Sequence, residues 1–251
     1  MLTEEQKFIF DLKGYLVLPG VLDESLVGRL KDQIDKLENN PEALPPQERS
    51  LPGGAFAELI DHPEVKSLLD FAISQNPEKW RLESTFYSIR QNGDQGIGPH
   101  GGGPTLNPNY HYHAYNNKIY TGMLRVVFEL TEVEYDKGGT LFMAGSHKSN
   151  FKIPQTTFDP DRREAVTSSF LFDRYACPPG SIVAFAEAVC HSGNTWRNPD
   201  HPRMAVFYAY NHVNVRHHKP KFDPAVIEAL SEERQAFFRE VYHPQFDRRA
   251  I

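Results

Sequence analysis

Helices at the start of the chain and a block of short strands after about Lys79 predict a mainly β (α+β) fold. The arrangement this suggests is a jelly-roll core with helices packed on one side. Composition agrees: 17 Phe and 11 Tyr among 251 residues favour strands over a helical bundle. The chain shows no internal repeat or low-complexity segment, and its length suits one domain, residues 1–251, with a substantial core.

Thr3 with Gln6 reads as a capping box that opens a short helix ending at Gly14. Tyr15-Leu16-Val17-Leu18 reads as a strand closed by Pro19-Gly20. Asp23 can cap a second helix, with Leu26, Leu30, Ile34 and Leu37 on one face. Residues 41–54, rich in Pro and polar side chains, read as loop. Val65, Leu68, Leu69 and Ala72 suggest a further helix. Trp80, Leu82, Thr85, Tyr87 and Ile89 are spaced for strand, and a Gly-rich loop follows from Gly93 to Gly103. The run from Ile119 to Val133 is long and β-prone, with a turn at Asp136-Lys137-Gly138-Gly139. Short strands are expected at Leu141–Met143, Ser181–Phe185 and Met204–Tyr210. A last helix is expected from Ala225 to Tyr242.

A net charge of −6 gives no electrostatic case for nucleic acid or an anionic membrane. Arg248-Arg249 is too short a basic run to change this. Two cysteines, Cys177 and Cys190, form neither a metal-type nor a disulfide-scaffold spacing, and a reducing cytoplasm is the expected setting. The N-terminus lacks the basic start and apolar core of a signal peptide, and no apolar run approaches a membrane span.

The chemistry is expected around His191 and Arg203, twelve positions apart and next to two β-type runs. An imidazole near one strand end can hold a metal. A guanidinium entering the next strand needs an anion and can grip a carboxylate with its planar fork. The plain alternative for Arg203 is an ion pair with an acidic residue of the chain. His100, in GPHGGGP, and His111 and His113, in NYHYHAY, are the other candidate ligands. His217 and His218 read as solvent-facing. In GGTLFMAGSHKSNF, Gly145 permits a tight turn capped by Ser146-His147-Lys148.

Three segments carry a resemblance: GYLVLPGVLDE, GGTLFMAGSHKSNF, and PPGSIVAF followed by His191 and Arg203. Over about residues 8–215 the chain resembles the phytanoyl-CoA dioxygenase family. The resemblance implies a double-stranded β-helix (a cupin-like jelly roll) and the reactants Fe(II), 2-oxoglutarate and O2. It makes His191 the distal iron ligand and Arg203 the residue that binds the far carboxylate of 2-oxoglutarate, with Ser192 as a supporting hydrogen-bond partner.

The family's proximal His-x-Asp or His-x-Glu is missing. His100 is followed by Gly101 and Gly102, and His111 by Tyr112 and His113. His100 is preferred because the chain looks like an HGG-type branch of the family, whereas His111 fits the family's spacing better. Three chemistries then stay open. Chloride can fill the vacant place, as in iron halogenases. A carboxylate can come from elsewhere, with Glu129 the candidate: alternation puts Arg125 and Glu129 on one strand face, to pair, hold substrate or reach the metal. Or the chain is a non-catalytic jelly-roll binding protein. The preferred reading is an Fe(II)/2-oxoglutarate-dependent dioxygenase that hydroxylates a small organic molecule, without a nucleic-acid or membrane partner. The loop from Gly93 to Tyr115 is expected to cover the substrate. The sequence assigns neither substrate nor oligomeric state.

Overall fold

The computed structural model describes residues 1–102, 111–159, 164–165, 170–219 and 221–242. Four helices dominate the first third: α1 (Glu4–Lys13), α2 (Glu24–Asn39), α3 (Ala57–Ile60) and α4 (Pro63–Ala72), with strand β1 (Tyr15–Leu18) after α1. Strands follow: β2 (Trp80–Arg90), β3 (Ile97–His100), β4 (Tyr112–Tyr115), β5 (Lys118–Thr121), β6 (Leu124–Glu129), β7 (Thr140–Met143), β8 (Phe158–Asp159), β9 (Glu164–Ala165), β10 (Ser181–Ala186), β11 (Cys190–Gly193) and β12 (Arg203–His212). Two short helices, α5 (Pro224–Glu228) and α6 (Glu232–Gln235), come last. The architecture is therefore mixed helix and antiparallel sheet.

A five-stranded sheet has the order β1-β10-β6-β12-β2, and a three-stranded sheet the order β3-β11-β7. Alternation along the central strands sorts side chains to the two faces of the larger sheet. Leu124, Val126 and Phe128 of β6, with Val206, Tyr208 and Tyr210 of β12, join the helices in one core that includes Leu30, Ile34 and Phe56. The Tyr208 hydroxyl donates to the Phe56 carbonyl (2.7 Å) and that of Tyr210 to Ile60 (2.9 Å), tying the helical layer to the sheet. The opposite face packs Val127, Val183, Phe185 and Ala205 against Phe142 of the smaller sheet. Every residue of β10 is buried, as expected for a strand covered on both faces.

The N-terminal elements match the sequence reading. Thr3 and Gln6 form the capping box, Gly14 closes α1 at φ +82°, and the Asp23 carboxylate accepts from the Leu26 amide to cap α2. Four expectations need correction. The run from Ile119 to Val133 is not one strand. It breaks at Gly122-Met123, where the Met123 carbonyl accepts the Glu187 amide (2.9 Å) and β5 leaves to pair with β4. Residues 225–242 are not one helix, because Ser231 is extended (φ −64°, ψ 156°) and separates α5 from α6. The segment 41–54 also contains short 3-10 turns. His217 and His218 are not simply solvent-facing: their amides both donate to the buried Glu83 carboxylate (2.9 and 2.6 Å), beside Arg81 and Asn211. Among the described residues, no helix is long and apolar enough to cross a membrane.

Two of the sequence motifs meet in space. The Gly145 amide donates to the Lys13 carbonyl (3.0 Å), and the His147 ring packs on Gly14, where a Cβ would lie 2.5 Å from the imidazole Nδ1. Left-handed backbone and lack of space therefore act together at Gly14. Gly14→Ala is expected to cost about 1–3 kcal/mol, read as a lowered urea midpoint with an unchanged slope.

Candidate metal centre and arginine pair

His100 ends β3 and His191 lies in β11, not at the end of the preceding strand as the sequence suggested. The two are direct cross-strand partners in the smaller sheet. Their rings lie 4.1 Å apart, centroid to centroid. Each imidazole is oriented in the same way. The Nδ1 of His100 lies 2.9 Å from the Gly98 carbonyl, and that of His191 lies 2.8 Å from the Val189 carbonyl. A carbonyl oxygen can only accept, so each Nδ1 carries the proton, and each Nε2 is left with a lone pair for a metal. Burial pushes the His191 imidazole down to about 4, which keeps it in the neutral form a ligand needs.

The third member of this group is Glu187, which the sequence reading did not single out. One ligand atom each from His100, Glu187 and His191 lies within 4.8 Å of the others. Glu187 sits in the turn between β10 and β11, four residues before His191, with a carboxylate oxygen 4.0 Å from the His191 Nε2. Burial works to raise its pKa, but Arg125 and the two imidazoles outweigh this and hold the carboxyl below its usual range. Arg125 donates from Nε (3.2 Å) to Glu187 and comes within 3.1 Å of it through Nη2.

The glycines after His100 explain why the carboxylate comes from there. Gly101 and Gly102 both have φ near +75°. A Cβ on Gly101 would lie 2.8 Å from the Val189 carbonyl, and one on Gly102 would lie 2.6 Å from the Cys190 Cβ. Gly102 is the position of the acid in His-x-Asp. Its backbone is pressed against the turn that bears Glu187, and its amide donates to the Ala188 carbonyl (2.8 Å). A side chain has no room at 102, and the facing turn presents the carboxylate. Signals for Glu187 were present in the sequence: it is the one charged residue in AFAEAVCH, and it precedes His191 by one helical-turn spacing.

The predicted strand phase holds, because Arg125, Val127 and Glu129 share a face of β6 with Val127 in the inter-sheet core. Arg125 and Glu129 do not pair with each other. Arg125 lies at the histidine end, whereas Glu129 lies at the other end, fully buried against Arg203. Arg203 Nε donates to one Glu129 oxygen (3.0 Å) and Nη2 to the other (2.5 Å), and the Tyr175 hydroxyl also donates to Glu129 (2.7 Å). Burial opposes the charge on Arg203, and the Glu129 carboxylate more than offsets it, so the guanidinium is raised further above its usual range. Ser192 points to the other face of β11 from His191 and donates to the Ile97 carbonyl (2.6 Å). His111 and His113 lie 6.0 Å apart by ring centroids, outside the His100–Glu187–His191 group. Of the loop from Gly93 to Tyr115, positions 103–110 lie outside the described residues.

Removing one partner of a buried ion pair strands the other. Glu129→Ala should destabilise the protein by about 3–5 kcal/mol, and the double replacement Glu129→Leu with Arg203→Met should recover most of that loss. Urea unfolding of the three proteins measures both effects.

The phytanoyl-CoA dioxygenase (PhyH) family pattern matches residues 10–205. No curated protein matches significantly. Among solved structures, HygX from Streptomyces hygroscopicus with nickel and 2-oxoglutarate bound is similar at 20% identity and a TM-score of 0.68, covering 84% of this chain and 87% of that one. The epimerase SnoN with Fe3+, α-ketoglutarate and nogalamycin RO bound is similar at 16% identity and a TM-score of 0.58, covering 88% and 92%. The carbocyclase SnoK from nogalamycin biosynthesis is similar at 16% identity and a TM-score of 0.58, covering 85% of each chain. With the family pattern spanning most of its length, this chain belongs to the phytanoyl-CoA dioxygenase (PhyH) family.

Proposed function

We propose that the protein is a single-domain Fe(II)/2-oxoglutarate-dependent oxygenase with a double-stranded β-helix core, and that it hydroxylates a small organic molecule. The observation that carries the reading is the approach of His100, Glu187 and His191 to within 4.8 Å of one another. Two imidazoles and one carboxylate on adjoining elements are the donor set of a facial non-haem iron site with open positions. The residues therefore fit the metal. Bound there, iron would supply the oxidative chemistry on O2 that decarboxylates 2-oxoglutarate to succinate and CO2.

The chain's own groups supply position and charge. The carbonyls of Gly98 and Val189 hold the two imidazoles in the ligating tautomer. Arg125 fixes the Glu187 carboxylate. The far carboxylate of 2-oxoglutarate is assigned to the other end of the same sheet face, where Arg90 is the ladder partner of Arg203 across β2 and β12. Arg125 also lines a cavity of about 710 Å³ with Phe86, Tyr87, Phe222, Lys219 and Glu83, and this is the proposed substrate site. Its apolar walls and polar rim suit a small amphipathic molecule. HygX and SnoN, whose structures hold hygromycin B and nogalamycin RO, are precedents for small-molecule substrates on this fold. Buried free thiols at Cys177 and Cys190 suit a reducing compartment such as the cytoplasm.

Glu187 also favours oxygenation over halogenation, because a carboxylate stands where a halide would need a vacancy. The experiment is anaerobic loading with Fe(II), addition of 2-oxoglutarate and O2, and measurement of succinate. Wild type should release succinate only with both iron and 2-oxoglutarate present. His100→Ala, His191→Ala and Glu187→Ala should each lower metal affinity and cut turnover by at least about 100-fold, as for loss of a directly acting group. Product analysis in chloride buffer then separates hydroxylation from halogenation, epimerisation or ring closure. No succinate under any of these conditions would remove the enzyme reading and leave a binding protein.

A further inference from the structure

We propose that Arg90, not Arg203, holds the far carboxylate of the dicarboxylate co-substrate. The assignment rests on the 2-oxoglutarate reading above and names the residue that recognises that molecule's distal end.

Arg203 is already satisfied. Both oxygens of Glu129 accept from it, Tyr175 completes the cluster, and the guanidinium side chain is 4% exposed. A second carboxylate would have to displace a fully buried one, and the displaced Glu129 would then need a new partner in the core. Arg90 stands beside this cluster, directly opposite Arg203 in the β2–β12 ladder. Its alternating neighbours Ser88 and Phe86 pair with Ala205 and Phe207, so Arg90 lies on the sheet face that carries the inter-sheet core. It is half-buried, it donates to the Asn194 carbonyl (3.2 Å), and no carboxylate among the described residues lies within 4.0 Å of it. Burial and the nearby Arg203 lower its pKa, and the attraction of Asp94 and Glu129 does not offset them. Arg203 is matched by Glu129, whereas Asp94 attracts Arg90 only from beyond ion-pair distance, which leaves the Arg90 fork open to a carboxylate.

The position suits the length of the ligand. A Cβ built on Gly193 would lie 2.9 Å from Arg90 Nη2 and 3.0 Å from Nη1. The guanidinium therefore covers the place where a Gly193 side chain would stand. Gly193 follows His191 by two residues on β11, and residues two apart share a strand face, roughly 6.7 Å apart. Arg90 thus presents its fork on the same side as the His191 imidazole, one strand repeat along. A five-carbon diacid with its keto-acid end at the metal reaches about this far. Glycine at 193 is what leaves space for the arginine.

The test separates the distal carboxylate from the keto-acid end by comparing 2-oxoglutarate with pyruvate, which lacks the distal group. Dissociation constants for both are measured anaerobically on Ni(II)-loaded protein, with the Ni(II) affinity measured alongside. Wild type should bind 2-oxoglutarate at least tenfold more tightly than pyruvate, as expected for a charge-assisted contact. Arg90→Met should bring that ratio close to one with Ni(II) affinity unchanged. Should Arg90→Met not fold, Arg90→Lys carries the same test, with an expected loss of about threefold because a point charge replaces the fork. The double variant Glu129→Leu with Arg203→Met should keep the wild-type ratio. A ratio unchanged in the Arg90 variants, or one that collapses in the double variant, would overturn the assignment while leaving the co-substrate reading intact. Failure of both acids to bind Ni(II)-loaded wild type would overturn the co-substrate reading itself, and this assignment with it.

Discussion

The centre of this protein depends on one close backbone contact. Gly101 and Gly102 lie against the turn from Glu187 to Val189 with no space for a Cβ at either position. That contact removes the carboxylate expected two residues after His100, and it delivers another from the facing turn. It also aligns His100 with His191, since the strand ahead of the glycines pairs with β11. Permissive backbone at two residues thus sets which side chains surround the candidate metal position. The same trade of side chain for proximity recurs at Gly193, where Arg90 fills the space, and at Gly14, where His147 does.

Charge is divided between the two ends of the inter-sheet core. At the histidine end Arg125 is matched by Glu187, and at the other end Arg203 is matched by Glu129. Both arginine–carboxylate pairs are well buried, where a lone charge would be costly. Each pair spans elements: β6 with the β10–β11 turn in one case, β6 with β12 in the other. The strand β6 therefore connects the two ends, contributing a cation to one and an anion to the other. Apolar side chains, Val127 and Phe185 among them, fill the space between. Arg90, on the edge strand β2 of the larger sheet, has no carboxylate within ion-pair distance among the described residues.

Much of the scaffold was legible in the sequence because local rules and burial agree there. Caps at Thr3 and Asp23, the apolar faces of α2 and α4, and the strand at β2 all reappear in the structure. The phase of β6 came from the family resemblance and not from burial, since Val126, Val127 and Phe128 are buried on both faces of this central strand. What could not be read was which charged groups would meet, since that depends on contacts across sheets. Glu129 was correctly placed inward, yet its partner Arg203 lies 74 residues away. Glu187 escaped notice because its approach to the two histidines follows from a tertiary contact of two turns rather than from a His-x-acid spacing. The break at Ser231 also escaped, because apolar residues at helical spacing masked a residue with extended backbone.

The central claim is that a divalent metal is held by ligands from β3, the β10–β11 turn and β11. Anomalous diffraction from crystals grown with Ni(II) or, anaerobically, with Fe(II) measures this directly. The account predicts one strong peak bonded to the Nε2 atoms of His100 and His191 and to a Glu187 carboxylate oxygen, at about 2.0–2.2 Å by analogy with other imidazole and carboxylate ligands. A peak bonded to both histidines with water or chloride in place of Glu187, or a peak at His111 and His113, would contradict it.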